Sequence, residues 1–316
     1  MIEWARERLA QRGVAITGEP ERVHDRPWSQ VWRLPTARGA LFVKWMFAPS
    51  RYEVPVTTAL ASWAPDLVTA VIDADPERSF LLMDDAGERL RAIIAREDDI
   101  TRWLGILPRY AELQRIAAPH ADELVALGAP DRRVGALRAG FETLVSGDEL
   151  LTIAGAQSST ATELRALRAL VPSVRDWCDQ LAGTLPDTIQ HDDLHDGQIF
   201  VREGVARVLD WGDSNVSHPF FSLVVLERAI GHARGYAPKA PELLRLRDAY
   251  LEPFTALTTR ARIDACVPVA LRLGRLCRLL TWVHLVRGLE GADRESEAVP
   301  GWVQLFLEPD LPYRGT

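Results

Sequence analysis

The chain has 316 residues, of which 47% are hydrophobic and 26% are charged, and its formal net charge at pH 7 is −7. This length allows one large domain or two medium ones, and the composition is ordinary for a soluble globular protein with a substantial core. The negative charge argues against a nucleic-acid partner, because non-specific binding to nucleic acid requires a basic surface.

Three further features bear on the cellular environment. The cysteines are few and widely separated, which predicts buried thiols in a reducing cytoplasm. They are Cys178, Cys266 and Cys277. The N-terminal residues mix charges and lack the apolar core of a signal peptide. The most apolar long stretch, residues 263–286, contains three arginines at helical spacing, which would be costly in a bilayer. We therefore expect a cytoplasmic protein with no membrane partner, and the sequence indicates no oligomeric state.

The N-terminal quarter combines one short helix with runs of β-favouring residues. An amphipathic helix is predicted over residues 2–12. The predicted strands cover residues 22–34 (two strands joined by a turn), 40–46, 67–72 and 79–83. The turn in the first of these runs contains Pro27, Trp28 and Ser29. Lys44 lies inside the second run, and a lysine in a strand is most often on a solvated face.

A change of composition follows these strands. The segment Met83-Asp84-Asp85-Ala86-Gly87 passes from an apolar strand to a polar linker that ends in glycine, which indicates a domain boundary. After it the apolar residues recur at helical spacing. Helices are predicted over residues 103–117, 164–181, 242–251 and 262–287. The sequence thus predicts a β-rich lobe over residues 1–86 and a larger helical lobe over residues 87–316.

The stretch 190–213 begins with a cluster of ionisable side chains. Two short apolar runs follow, separated by the polar turn Arg202-Glu203-Gly204, and this pattern predicts a β-hairpin. The hairpin would bring the region of Asp193 and Gln198 close to Asp210. Carboxylate and amide oxygens that converge in this way suit a hard cation such as Mg²⁺.

The residues of this stretch carry a resemblance to a known family. His191-Asp192-Asp193, then four intervening residues, then Gln198 and later Asp210-Trp211-Gly212, resemble the H-x-D-x-x-x-x-N and D-F-G motifs of protein kinases. It is most similar to the aminoglycoside phosphotransferases and choline-kinase-like enzymes, whose loops read H-G-D-L-H-x-G-N and whose second motif reads D-W-G-D or D-F-D.

The chain departs from this family pattern at three positions. Asp192 stands where Gly is usual, and Gln198 stands where Asn is usual. Gln offers the same amide oxygen one methylene further out, and sugar kinases of the maltokinase and glucosamine-kinase type are similar in carrying it. Ser222 stands where Asp is common, which predicts a weaker structural hydrogen bond to the catalytic loop.

The resemblance implies an α+β, bilobal, protein-kinase-like fold with a small antiparallel β-sheet N-lobe and a larger, mainly helical C-lobe. It implies that Asp193 is the catalytic base and that Gln198 and Asp210 are the ligands of Mg²⁺. His191 and His195 take the places of structural residues of the loop. We expect the neighbouring Asp196 to be solvated.

The resemblance also implies which residues bind ATP. Lys44 takes the place of the strand lysine that holds the α- and β-phosphates. Glu53 is the candidate for its partner, because it is the only glutamate between Lys44 and Glu77. The alternative is that Ser50-Arg51-Tyr52-Glu53 forms a capping box, in which Glu53 bonds a backbone N–H.

Two further segments take the places of nucleotide contacts. The turn at Ser29 corresponds to the loop over the phosphates, although it contains no Gly, and an ordinary hairpin turn is an equal alternative. The backbone between Met83 and Asp85 corresponds to the linker that hydrogen-bonds the adenine edge. An ordinary strand end is the alternative for that segment.

These assignments predict an ATP- and Mg²⁺-dependent phosphotransferase that acts on a hydroxyl group of a small molecule, such as an aminoglycoside, an amino sugar or a sugar-like acceptor. Aromatic and acidic residues near the C-terminus would suit an amino group on that acceptor. They are Trp282, His284, Glu290, Asp293, Glu295, Glu297 and Trp302.

Two alternative functions remain open. One is a nucleotide-binding homologue without catalytic activity, which the glycine-free loop and Gln198 would favour. The other is a zinc-dependent hydrolase, because the H-x-D-x-H spacing of His191, Asp193 and His195 places three candidate zinc ligands together.

Overall fold

The computed structural model of the protein describes residues 1–294 and 296–308. Glu295, one of the acidic residues considered for acceptor binding, lies outside the described residues. The chain forms two compact units, and it passes from one to the other several times. The first unit comprises residues 1–98, 127–129 and 196–212, and the second comprises residues 99–126, 130–195 and the described residues from 213 onward. The predicted single boundary after residue 86 stays a prediction.

The β-strands of the described residues form three sheets. The strands are β1 (Glu21–Arg26), β2 (Ser29–Thr36), β3 (Gly39–Met46), β4 (Val71–Asp75), β5 (Phe80–Asp84), β6 (Glu88–Arg89), β7 (Thr188–Gln190), β8 (Ile199–Arg202), β9 (Val205–Val208) and β10 (Asn215–Ser217). The first unit contains an antiparallel sheet of order β1-β2-β3-β5-β4 and a small sheet of order β6-β8-β9. In the second unit β7 pairs with β10. The predicted antiparallel N-terminal sheet and the predicted hairpin are confirmed.

The second unit is mainly helical. Among the described residues, its α-helices are α4 (Trp103–Ala117), α5 (Ala121–Ala126), α6 (Val134–Ser146), α7 (Ala161–Ala169), α8 (Val171–Leu181), α9 (Leu223–Arg234), α10 (Pro241–Leu251), α11 (Arg260–Arg287) and α12 (Ala298–Leu307). The first unit contains α1 (Ile2–Gln11), α2 (Glu53–Trp63) and α3 (Leu90–Glu97). The helix predicted over residues 164–181 is instead two helices, α7 and α8. Pro172 lies in the first turn of α8, where proline is favoured because it lacks the N–H that would continue a preceding helix.

The strand β3 separates two apolar clusters in the first unit. Trp4 of α1 packs with Val43 of β3 in one cluster, and Val54 of α2 packs with Met46 in the other. Side chains of a strand point alternately to its two faces, so the even-numbered residues of β3 face the cluster of α2. This alternation places Lys44 on the same face of the sheet as α2.

One predicted strand lies in a different place. The sequence predicts a strand over residues 67–72, whereas β4 begins at Val71. The backbone before it pairs elsewhere: Leu67 accepts a hydrogen bond from the Val208 N–H (2.8 Å), and Ala70 accepts one from the Asp84 N–H (3.0 Å). The prediction was wrong because β-favouring composition does not indicate which neighbour a segment pairs with.

Two glycine positions shape the small sheet. The turn between β8 and β9 has Glu203 at φ 54° and Gly204 at φ 79°, the pair of positive values that a type I′ hairpin turn requires. Gly87 has φ +96°, and a Cβ atom there would lie 2.2 Å from the carbonyl oxygen of Val201. The glycine at the end of the predicted linker is therefore required by its contact with β8.

The apolar stretch with three arginines forms part of α11. No helix in the described part of the chain is long and apolar enough to cross a membrane. All three cysteines are free and buried, as the sequence predicts.

Candidate active site

The first unit holds a buried lysine between two carboxylates. The Nζ atom of Lys44 lies 2.7 Å from Oε1 of Glu53 and 2.5 Å from Oδ1 of Asp210. Lys44 is 6% exposed and Glu53 is 2% exposed, whereas about half of the Asp210 side chain (48%) is exposed. We call these three residues the lysine cluster. Lys44 does not lie on the solvated face that is usual for a strand lysine, because α2 covers its face of β3.

The charges of the lysine cluster support one another. Burial by itself would lower the pKa of Lys44, but the attraction of Asp210 and Glu53 outweighs it and holds this pKa above its ordinary value. The ammonium group therefore remains charged. The capping-box alternative for Glu53 does not form, since α2 begins at Glu53 and its N-cap residue is Tyr52, whose side chain makes no capping hydrogen bond.

The backbone of Asp210 is held in an unusual conformation. Its φ is +66°, a left-handed value that few residues other than glycine adopt and that aspartate tolerates better than most. Next to it, the hydroxyl of Tyr52 donates to the carbonyl of Gly212 (2.6 Å), and a Cβ atom at Gly212 would lie 2.9 Å from Oε2 of Glu53. The loop after β9 thus packs directly on α2, and this contact presents the Asp210 carboxylate to Lys44.

The hairpin brings Gln198 next to the same loop. Gln198 precedes β8 and Asp210 follows β9, and the N–H of Leu209 donates to the carbonyl of Gln198 (2.9 Å). An amide oxygen and a half-exposed carboxylate are the hard donors that magnesium and calcium prefer. The residues present therefore fit a hard divalent cation.

The remaining predicted nucleotide contacts lie in the large sheet (Ser29 and Met83) or directly after its strand β5 (Asp85). Ser29 is the first residue of β2, pairs with Met46 and is buried, so the turn itself consists of residues 27–28. Met83 is buried in β5. The Asp85 N–H donates to the Asp84 carboxylate (2.8 Å), and the Asp85 carbonyl accepts from Arg202 (2.9 Å). The adenine-binding role of this backbone stays a prediction.

The second unit holds residues 191–195, the first part of the loop that the sequence predicts to be catalytic. His191, which follows β7, is fully buried, and its Nδ1 accepts from the N–H of Asp193 (3.3 Å). The N–H of His191 donates to the hydroxyl of Tyr110 (3.0 Å), which also bonds Ser222 (2.8 Å). Tyr110 of α4 thus bridges the short side chain of Ser222 to the loop, a role that the sequence analysis missed.

A buried arginine lies against the predicted base. Arg278 of α11 is 4% exposed, and its Nη2 donates to Oδ1 of Asp193 (2.8 Å). Its Nη1 donates to Oδ2 of Asp213 (2.5 Å) and lies 4.0 Å from Oδ2 of Asp192. We call these four residues the arginine cluster. On the other side, Nε2 of His195 lies 3.3 Å from Oδ2 of Asp193. Spacing in the sequence does not predict this contact of Arg278, whose only signal is an arginine in an apolar helix.

The backbone conformation of Asp192 explains why glycine is usual at this position. Its φ is +59°, which glycine adopts freely and aspartate tolerates better than most residues. Its carboxylate is buried and accepts from Thr281 (2.5 Å) and Gln190 (2.7 Å). Burial raises the pKa of Asp192 to about 7, although Arg278 opposes this shift.

We predict that Asp192 makes the stability of the protein depend on pH. The pKa of Asp192 is about 7 in the folded state and about 3.9 in the unfolded state, so between these values only the folded state holds the proton. The free energy of unfolding should therefore fall as pH rises through this interval, by up to about 1.4 kcal/mol per pH unit. Urea unfolding at pH 5 and pH 7 should show a smaller decline for Asp192→Asn than for the wild type.

The exposed Asp176 of α8 gives a matched control for this experiment. Asp176→Asn should keep the decline of the wild type. The same decline in Asp192→Asn as in the wild type would contradict a protonated buried Asp192.

Two other predictions about the loop are corrected. Asp196 is not simply solvated, because its Oδ1 accepts from Nε of Arg91 (2.8 Å). The described residues contain no group of three His, Cys, Asp or Glu side chains that could hold a metal ion. His191 is buried and its Nδ1 is hydrogen-bonded within the loop, so the proposed zinc ligands do not converge.

The fold and the family match define the class of this protein. It is a small-molecule kinase with a protein-kinase-like fold. The family model described as the phosphotransferase enzyme family matches residues 58–266, and the chain belongs to this family. A search of curated protein sequences found no match.

Solved structures of low sequence identity share the fold. A choline/ethanolamine kinase family protein from Mesorhizobium loti is 16% identical, with a TM-score of 0.59 over 97% of this chain and 95% of that chain. The macrolide 2′-phosphotransferase MphH from Brachybacterium faecium is 17% identical, with a TM-score of 0.57 over 97% and 98%. The amicoumacin kinase hAmiN, solved with AMP-PNP, Ca²⁺ and Ami, is 13% identical, with a TM-score of 0.59 over 99% and 97%.

Proposed function

We propose that the protein transfers the γ-phosphoryl group of ATP to a hydroxyl group of a small molecule, and that Asp193 is the base. The observation that supports this most strongly is the lysine cluster. A charged, buried ammonium group between a buried glutamate and a half-exposed aspartate is what a phosphate-binding lysine needs. The family membership supports the reaction class.

In this proposal the first unit binds the nucleotide. Lys44 neutralises phosphate oxygens. Glu53 accepts a hydrogen bond from the Lys44 ammonium group and so holds the lysine side chain in place. Asp210 and Gln198 would hold a divalent cation such as Mg²⁺. Bound ATP supplies the phosphoryl group, and the cation draws charge off the transferring oxygens. The amicoumacin kinase, which was solved with a nucleotide analogue and Ca²⁺, supports both requirements.

The second unit would supply the base. Asp193 accepts a hydrogen bond from the acceptor hydroxyl and takes its proton in or after the transition state. The transition state of phosphoryl transfer is loose, so the hydroxyl loses its proton late and a strong base is not required. A carboxylate oxygen has two lone pairs, so the contacts with Arg278 and His195 leave acceptor capacity on Asp193.

For the acceptor we propose an amino sugar, an aminoglycoside or a related sugar-like molecule. Trp282 supports this choice, because it is half-buried and its ring lies 5.3 Å from the guanidinium of Arg278, next to the proposed base. Trp302 does not support it, because it is only 9% exposed. The aromatic contribution to the acceptor would therefore come from α11.

An acceptor screen tests the proposed function. Purified protein is incubated with ATP, Mg²⁺ and one of several hydroxyl compounds: amino sugars, aminoglycosides, neutral sugars, macrolides and choline. We expect release of ADP that depends on one class of acceptor and stops when EDTA removes the divalent cation. ATP binding without turnover for any acceptor would instead favour the catalytically inactive homologue, which the glycine-free turn between β1 and β2 would also suit.

A further inference from the structure

We propose that Arg278 is a positioning residue for phosphoryl transfer, which fixes the orientation of the Asp193 carboxylate. The inference rests on the proposed role of Asp193 as the base. It goes beyond that role because it places part of the catalytic geometry on α11, 85 residues further along the chain.

The guanidinium of Arg278 contacts both ends of the segment that runs from Asp193 to Asp213. Nη2 holds Asp193 (2.8 Å) and Nη1 holds Asp213 (2.5 Å). Residues 196–212 between them belong to the first unit, so Arg278 ties the point where the chain leaves the second unit to the point where it returns. A planar guanidinium holds its donors in a fixed relative direction, which a single ammonium group does not.

Arg278 is itself held in place. It is 4% exposed, and its guanidinium stacks on Trp282, which lies one turn further along α11. Such a buried and stacked side chain loses little further freedom when it binds a carboxylate. Through its bond to Oδ1, Arg278 restricts the rotation of the Asp193 side chain and so fixes the direction of Oδ2, which lies 3.3 Å from Nε2 of His195. A displacement of about 1 Å of a reacting group lowers a rate by about 100-fold.

The competing explanation is that Arg278 only neutralises buried carboxylates. Asp192 is the most deeply buried of the three carboxylates, at 2% exposure of its side chain, whereas Asp193 and Asp213 are about a quarter exposed. Loss of Arg278 alone would remove a buried cation that lies against these acidic side chains and would destabilise the fold. Asp192→Gly removes the buried carboxylate and introduces the residue that best tolerates φ +59°. This background separates the two explanations.

The experiment compares kcat, KM for ATP and melting temperature within the Asp192→Gly background, using the acceptor found in the screen. Arg278→Met should lower kcat by about 10- to 100-fold and leave KM for ATP within about 2-fold, because the proposed ATP-binding residues lie in the first unit. Arg278→Lys should restore only part of this loss. A folded Arg278→Met variant with the kcat of its background would overturn the proposal.

A second comparison decides the matter even if the methionine variant does not fold. Arg278→Lys keeps the positive charge, and it should lower kcat in the wild type but have no further effect on the residual rate of Asp193→Asn. This non-additivity is expected only if Arg278 acts through Asp193. Equal kcat for the wild type and Arg278→Lys, or an equal loss in both backgrounds, would overturn the inference. Failure of the proposed function looks different, because the wild type itself would then show no acceptor-dependent turnover.

Discussion

Replacement of Asp193 by asparagine is expected to lower kcat by about 10²- to 10⁴-fold, the range by which a general base contributes to a rate. Asparagine is nearly isosteric and keeps an oxygen that can accept from Arg278, so the loop should keep its structure. It cannot take the proton of the acceptor hydroxyl. Steady-state kinetics should show this loss in kcat with little change in KM for ATP, because Lys44, Glu53 and Asp210 all lie in the first unit.

Asp196→Asn is the matched control for this experiment. Asp196 lies three residues after Asp193 and forms an ion pair with Arg91, whose side chain is 60% exposed, so its loss should change kcat by no more than about 3-fold. Wild-type kcat in Asp193→Asn would remove Asp193 as the base. It would leave the nucleotide side of the proposal intact.

The second large effect is expected at Asp210. Asp210→Asn should lower kcat by at least about 100-fold, the effect of removing one group that stabilises transition-state charge. The concentration of Mg²⁺ needed for half-maximal rate should rise as well, because a neutral amide binds a divalent cation more weakly than a carboxylate does. Lys44 would keep its buried partner Glu53, so thermal unfolding should change little. Activity is measured while Mg²⁺ is titrated at saturating ATP.

Gln198 provides a companion variant for the same titration. Gln198→Asn keeps an amide oxygen and should remain active, whereas Gln198→Leu removes that oxygen and should require more Mg²⁺. Full activity of Asp210→Asn at unchanged Mg²⁺ would contradict the metal assignment. Equal Mg²⁺ dependence of the two Gln198 variants would contradict the role of the amide.

Local sequence patterns predicted much of the framework. The hairpin of β8 and β9 followed from two apolar runs around a turn, and the antiparallel order of the large sheet agrees with the resemblance to kinases. The predicted strand bounds were wrong where the structure depends on which distant segment the backbone pairs with. The backbone of residues 67–70 bonds the segments of Val208 and Asp84, so it does not form the predicted strand. The break between α7 and α8 at Pro172 could have been recognised from the residue itself.

The sequence alone determined which residues form the motifs, because each motif is a short stretch of neighbouring residues: His191 to Gln198 and Asp210 to Gly212. Only the tertiary structure decided which distant side chains hold those residues. Tyr110 bonds the loop from α4, and Arg278 bonds it from α11 across 85 residues of chain. Periodicity and spacing indicate contacts between residues that are close in the sequence. The contacts of Arg278 with Asp193 and Asp213 form only when α11 packs against the loops that contain these carboxylates.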